Sequence, residues 1–115
     1  MVLMHEVQTL ARSLPRSYEV VVRGRVKFRV GQIVYLAFSR DESEMGIAFP
    51  KEWRSIVVQA EPHKFMLPSQ SDLRFNWILV RLAALDQAEM RDLVLDAWRM
   101  VAPKFVAASY EAGRA

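Results

Sequence analysis

Residues 25–38 read RVKFRVGQIVYLAF, and this stretch decides the fold. Apolar residues alternate with cations over 25–30, which is the period-two pattern of a β-strand with one buried face. Gly31 and Gln32 then separate it from a second run, and glycine at the first of two loop positions favours a type II′ hairpin turn. The second run, 33–39, is apolar on both faces, so we predict a central strand.

The chain before this hairpin predicts a helix and then further alternation. Apolar residues recur at three- and four-residue intervals over 3–14, which is typical of an amphipathic helix, and Pro15 bounds it. Residues 18–22 extend the alternation of the hairpin backwards, but Gly24 interrupts it. We therefore place the firm strand at 25–30 and count no separate strand before it.

The chain after the hairpin adds a third antiparallel strand at 44–49 and a helix that begins near Pro50, a residue suited to the first helical position. The buried stripe of this helix is predicted to comprise Trp53, Ile56, Val57 and Ala60. Two strands follow, a short one at 64–67 and a stronger one at 75–82.

The last predicted helix starts at Asp86, which with Glu89 forms an Asp variant of the capping box. Its apolar stripe includes Trp98, which we expect in the core, and Pro103 ends it. A further turn or two follows Pro103, and residues beyond about 110 are expected to fray.

The order helix, three strands, helix, two strands, helix indicates an α+β fold with two layers, α-β3-α-β2-α. We expect an antiparallel sheet with helices packed on one face. A chain of 115 residues suits one domain, so we assign 1–115 to a single unit. Its core can form without disulfides or structural metal ions. The sequence has no cysteine, which excludes disulfides and thiolate metal sites.

No segment predicts a membrane partner. The first residues lack a basic stretch followed by an apolar one, and the longest charge-free apolar run, 30–39, is far short of the ~20 residues of a membrane helix. We therefore expect a soluble cytoplasmic protein.

Four short strings stand in a characteristic order along the chain. They are Ser13-Leu14-Pro15, Phe28-Arg29-Val30-Gly31, Trp77 in a strand ending Val80-Arg81-Leu82, and Asp96-Ala97-Trp98-Arg99 followed by Val101-Ala102-Pro103-Lys104. In this order they resemble the MmcQ/YjbR family of small bacterial proteins. The resemblance implies the same α-β3-α-β2-α fold, and it implies DNA binding only by the likeness of that fold to a double wing. Asn76 and Phe105 depart from the family's pattern where small or basic residues are usual.

The sheet should leave one face without helices, and the side chains on it can be predicted from strand parity. In a hairpin with a two-residue loop, residues at equal distances from the turn lie on the same face of the sheet. We therefore place on one face Val26, Phe28, Val30, Ile33, Tyr35 and Ala37. The open face then holds Arg25, Lys27, Arg29, Val34, Leu36 and Phe38, joined from the late strand by Phe75, Trp77, Leu79 and Arg81. The three cations form a row about 14 Å long.

The charges are unevenly spread along the chain. Sixteen Lys and Arg against thirteen Asp and Glu give a net charge of +3, which alone does not indicate a nucleic-acid partner. Residues 12–40, however, carry seven cations and one acid, a local charge of +6 that leaves −3 for the remainder.

The leading hypothesis is therefore a non-enzymatic DNA-binding protein that uses Arg25, Lys27, Arg29, Trp77 and Arg81. Cations neutralise phosphate, and aromatic rings stack on splayed bases. Two alternatives stay open. The face is simply solvated, with long cationic stems covering apolar neighbours, or it forms a protein contact or homodimer seam through Val34, Leu36 and Phe38.

Catalytic and metal sites find little support in the sequence. His5 and His63 are the two imidazoles, and no serine stands in a nucleophile elbow. The acidic run 41–44 suits a polar hairpin turn better than a cation site. We therefore predict no catalytic residue, metal or cofactor, and an enzyme with a hidden site is the third hypothesis.

Overall fold

The strands and helices are described for residues 1–113 by a computed structural model. The helices are α1 (Met4–Ser13), α2 (Arg54–Ala60), α3 (Gln87–Val101) and α4 (Lys104–Ala112). The strands are β1 (Ser17–Val22), β2 (Arg25–Val30), β3 (Ile33–Phe38), β4 (Glu44–Ala48), β5 (Phe65–Met66) and β6 (Trp77–Arg81). All pairings are antiparallel, so the predicted α+β class is confirmed.

The six strands form one sheet in the order β1-β2-β3-β4-β6-β5. The first four follow each other as a meander, whereas β6 inserts between β4 and β5. β3 is an interior strand, as its two apolar faces predict. Its hairpin with β2 turns at Gly31, whose φ of 60° fits the primed turns that hairpins prefer.

The sheet has one strand more than the sequence pattern predicts, because residues 17–22 form β1 rather than an extension of β2. Arg23 and Gly24 both have positive φ, 52° and 77°, as a type I′ turn requires. Arginine is rare at such a position, since its Cβ is crowded there. The turn therefore lacks the Asn-Gly signature by which it could have been found.

The helical layer covers one face of the sheet through α1 and α3. α3 contacts β3 and β4, and α1 contacts β1 and α3. Trp98 is fully buried, as predicted, and its Nε1 donates to the carbonyl of Pro15 at 3.0 Å. The predicted capping box is present, with Glu89 N donating to Asp86 Oδ1 at 2.8 Å.

A β-bulge changes which residues of β3 face the helices. Phe28 pairs with Leu36, but Arg29 pairs with Val34, so Tyr35 is an extra residue opposite β2. The prediction that Leu36 and Phe38 lie on the open face is wrong, since both are 0% exposed in the core. The prediction that Ala37 shares a face with Phe28 is also wrong, since Ala37 pairs with Lys27. Residues counted outward from a two-residue turn stay on matching faces only while each residue of one strand pairs with one residue of the other.

The predicted buried stripe of α2 is also wrong in part. Trp53 and Ile56 are both 56% exposed, whereas the neighbouring Arg54 is buried. Val57 and Val58 are half-buried and pack against the core. The helix is therefore rotated by about one residue, since Arg54 turns inward to hydrogen-bond backbone groups.

The C-terminal segment is more regular than expected. α4 continues to Ala112, while residues 114–115, which the predicted frayed end includes, lie outside the described part. Val106 is buried, and the Tyr110 ring meets Trp98 edge-on with centroids 5.2 Å apart. Apolar contacts with α3 thus extend the helix past the predicted end.

Candidate nucleic-acid interface

β2 presents three cations on the sheet face that α1 and α3 leave uncovered. Arg25, Lys27 and Arg29, the basic row, alternate with Val26, Phe28 and Val30, of which the last two are buried under the helices. Their partners on the edge strand are Val22, Val20 and Tyr18. All three cations are half-buried, so apolar neighbours enclose their stems while their charges stay on one side of the sheet.

No member of the basic row has a carboxylate partner among residues 1–113. Arg25 Nε donates to the carbonyl of Phe38 at 3.0 Å, and the buried Nε of Arg29 finds no acceptor in the same residues. The ion pairs of the described chain lie elsewhere: Arg12 with Glu19, Lys64 with Glu61 and Glu89, and Arg99 with Asp96 and Glu111. The charge of the basic row is thus not neutralised within the structure.

Trp77 stands on the same face, across β3 and β4 from the basic row. It pairs with Ala48, and the edge of its indole ring lies over Gly46. A Cβ at Gly46 would come within 2.5 Å of the indole Nε1, a distance that real side chains do not adopt. Glycine in the middle of β4 is therefore what admits the ring, which agrees with the use of strand glycine at close approaches.

Arg25, Lys27 and Trp77 line an open cavity of about 480 Å³ above the sheet. We call it the face cavity. Its lining residues are Arg25, Lys27, Ile33, Val34, Ala37, Ala48, Asp72, Phe75, Asn76, Trp77, Met100 and Val101. Side chains of β3 and β4 lie between the cations of β2 (the cationic wall) and the aromatic rings that precede and begin β6 (the aromatic wall), and Met100 and Val101 at the end of α3 complete the lining.

Arg54 holds the aromatic wall in place. Its guanidinium donates to three carbonyls of the segment before and at the start of β6: Leu73 at 2.6 Å, Phe75 at 3.0 Å and Trp77 at 3.1 Å. These carbonyls lie beyond the end of two-residue β5, where β5 no longer pairs with β6. Arg54 therefore supplies the donors that a longer β5 would have supplied.

Lys51 fastens the same segment from the turn before α2. Its backbone N donates to Asn76 Oδ1 at 3.1 Å, and its Nζ donates to the carbonyl of Arg74 at 3.2 Å. The Arg74 guanidinium lies 4.7 Å from the centroid of the Phe75 ring, which is half-exposed. The wall formed by Phe75, Asn76 and Trp77 is thus tied down at several points.

The structure brings together some of the predicted site residues and not others. Arg25, Lys27 and Trp77 line the face cavity, whereas Arg29 lies beside it at the end of the basic row. Arg81 shares the open face but lies at its far end, opposite Glu44. Its Nη1 donates to the carbonyls of Pro62 and His63 at 3.1 and 3.2 Å, so it supports a loop there.

Sequence reasoning missed Gly46, Arg54, Asp72 and Asn76. A glycine inside a predicted strand is a signal for a close approach, so Gly46 could have been found. Arg54 and Asn76 carried no comparable signal, since their roles depend on partners 19 to 25 residues away in the chain.

The homodimer hypothesis loses two of its three residues, because Leu36 and Phe38 lie beneath the helices. Val34 alone of that set lines the open face.

Residues 1–113 contain no group of three His, Cys, Asp or Glu side chains that could hold a metal ion. None of the described helices combines the length and the apolar character needed to cross a membrane. Neither His5 nor His63 lines the face cavity.

Comparison with known proteins gives one family and one fold. A family model described as YjbR matches residues 12–100. No curated protein matches the sequence. The fold is similar to the crystal structure of Deinococcus radiodurans protein DR2400, described as a DUF419 domain, with a TM-score of 0.75 and 16% identity over 87% of this chain and 78% of that chain.

Proposed function

The chain belongs to the YjbR family, and we propose that it is a non-enzymatic protein that binds nucleic acid, DNA above all, in the cytoplasm. The interface we assign is the open sheet face, with Arg25, Lys27 and Arg29 against the phosphates and Trp77 beside them. The observation that carries the proposal is the unneutralised basic row. Three neighbouring cations without carboxylate partners favour a polyanionic ligand.

The positions of the other charges support this choice of face. The ion pairs of the described residues involve α1, β1, α3, α4 and the turn before β5, and none involves β2. Arg81 contributes less in this proposal, since it supports the loop before β5.

The test is binding of a fluorescently labelled oligonucleotide, followed by anisotropy across a salt series that starts at about 50 mM. Each cation that contacts a phosphate contributes about −0.7 to −0.9 to the slope of log K against log salt, so the basic row predicts a slope of about −2 to −3. Replacing Arg25 and Lys27 together by Gln should make the slope shallower by about two.

Arg91 and Lys104 replaced together by Gln give the matched control, since this variant also loses two cations, which lie in α3 and α4 and do not line the face cavity. It should leave the slope unchanged. Absence of binding at about 50 mM salt would refute the proposed function.

A further inference from the structure

We infer that the face cavity takes one unstacked nucleotide, so that the ligand is single-stranded nucleic acid rather than an intact duplex. This inference rests on the proposed function and specifies the form of nucleic acid that it requires. It depends on the size of the cavity, the order of its polar groups and the rigidity of its aromatic wall.

The size of the face cavity suits a small organic group. Its volume of about 480 Å³ lies within the ~300–1,000 Å³ of typical small-ligand pockets. Trp77 is half-buried in one wall, so a partner must enter the recess to reach its ring. Stacked bases in a duplex expose only their edges, whereas an unstacked base offers a whole π-face.

The polar groups of the cavity are ordered from one wall to the other. Arg25 and Lys27 lie on β2, and Trp77 starts β6, which is three strand spacings or about 14 Å away. Asp72 and Asn76 belong to the aromatic side. The Asp72 carboxylate repels phosphate from that side and accepts hydrogen bonds from base amino groups.

This order matches the chemistry of a nucleotide, which is anionic at one end and a planar hydrogen-bonding ring at the other. The phosphate belongs on the cationic wall, and the base belongs on the aromatic wall. Val34, Ala37 and Ala48 line the cavity between the two walls and carry no charge, which suits the uncharged sugar.

The aromatic wall is preformed. Arg54 fixes the backbone from Leu73 to Trp77 through three hydrogen bonds, and Gly46 leaves room for the indole ring. A rigid stacking surface loses little conformational entropy when a base binds, which favours affinity.

Three labelled ligands of about 12 nucleotides separate the contributions of base and phosphate. They are a mixed-sequence single strand, the same strand with all bases removed, and the duplex of the same sequence. The single strand should bind at least about 5-fold more tightly than the abasic strand, because stacking one base on an aromatic side chain changes affinity by roughly 5- to 150-fold. The duplex should also bind more weakly than the single strand.

Trp77→Leu should abolish the preference for the base-containing strand, and Trp77→Phe should retain most of it. Trp53→Leu is the matched control, since Trp53 is exposed and does not line the cavity. Gly46→Ala keeps Trp77 but displaces its ring, so it should reduce the same preference without removing a charge.

A fluorescence readout covers the case in which Trp77→Leu fails to fold. In a Trp53→Phe background the emission comes from Trp77 and from the fully buried Trp98, so the single strand should quench part of it and the abasic strand should not.

Equal affinity for the single strand and the abasic strand, or tighter binding of the duplex, would overturn this inference while leaving the proposed function intact. Failure of all three ligands to bind would overturn both.

Discussion

At the residue scale, Arg54 connects the helix α2 to the candidate site. A buried arginine usually pairs with a carboxylate, but this one is satisfied by three backbone carbonyls. The dipoles of these carbonyls stabilise its positive charge in the core. Its planar guanidinium donates hydrogen bonds to several acceptors at once. The sequence offered no indication of this role, because a cation beside apolar helix positions normally points to solvent.

Arg54→Met should destabilise the protein by about 3 kcal/mol, because three part-buried carbonyls lose their donor. Equilibrium unfolding in urea measures the loss. Arg91→Gln serves as the comparison and should change the free energy of unfolding little. A loss below about 1 kcal/mol for Arg54→Met would show that water replaces the guanidinium at no great cost.

Tyr35, the extra residue of the bulge, gives a prediction about alkaline pH. It is fully buried, and its hydroxyl lies 2.6 Å from Ser17 Oγ. Burial raises the pKa of Tyr35 from 10.0 to about 12, against a smaller lowering by the hydrogen bond with Ser17. The unfolded chain therefore loses this phenolic proton at a lower pH than the folded chain does.

The stabilisation from Tyr35 is complete below about pH 10 and is lost as the pH rises to about 12, amounting to about 3 kcal/mol. The free energy of unfolding of the natural protein should fall more steeply over this interval than that of Tyr35→Phe. Parallel slopes for the two proteins in urea titrations would contradict the assignment.

At the scale of elements, the sequence pattern predicted most of the strands. It missed β1 and the bulge in β3, which depend on irregular backbone geometry. β2, β3, β4 and α3 were placed correctly from period and capping residues. β1 was merged with β2, because its turn uses arginine in a left-handed conformation. The bulge at Tyr35 was invisible in the pattern, since β3 is apolar at every position and no residue type marks the change of face.

The β1–β2 turn should be improvable by one substitution. Arg23 has φ of 52°, and asparagine tolerates this conformation better, so Arg23→Asn creates the preferred Asn-Gly pair. We expect a gain of about 0.5 to 1 kcal/mol in the free energy of unfolding, measured in urea. Gly24→Ala provides the opposite test at the adjacent left-handed position, and it should destabilise. A loss of stability in Arg23→Asn would contradict the assigned turn.

At the scale of the whole molecule, the paired charges and the unpaired basic row lie on different sides of the sheet. The helical layer carries the ion pairs with α1, α3 and α4, while the open face keeps the basic row without partners. The sequence predicted this division from the local charge of residues 12–40. It could not predict the face cavity, whose aromatic wall depends on contacts of Gly46 and Arg54 with a distant segment.

Two triple variants of equal net charge test whether position or total charge matters. Arg25, Lys27 and Arg29 are changed to Gln in one, and Arg91, Arg99 and Lys104 in the other, so each loses three positive charges. The first should elute from a heparin column at clearly lower salt than the second, because a polyanion responds to the local density of unpaired cations. Equal elution would show that only the net charge counts.

The insertion of β6 between β4 and β5 has a consequence for synthesis on the ribosome. The four-strand meander emerges first and can form from neighbouring segments, but the inner edge of β4 stays unpaired until residue 81 has emerged. The apolar face of the meander stays uncovered until α3 follows. During this interval the nascent chain exposes an unpaired strand edge and an uncovered apolar face, two features that favour aggregation. Rapid elongation between residues 48 and 101 would shorten that exposure.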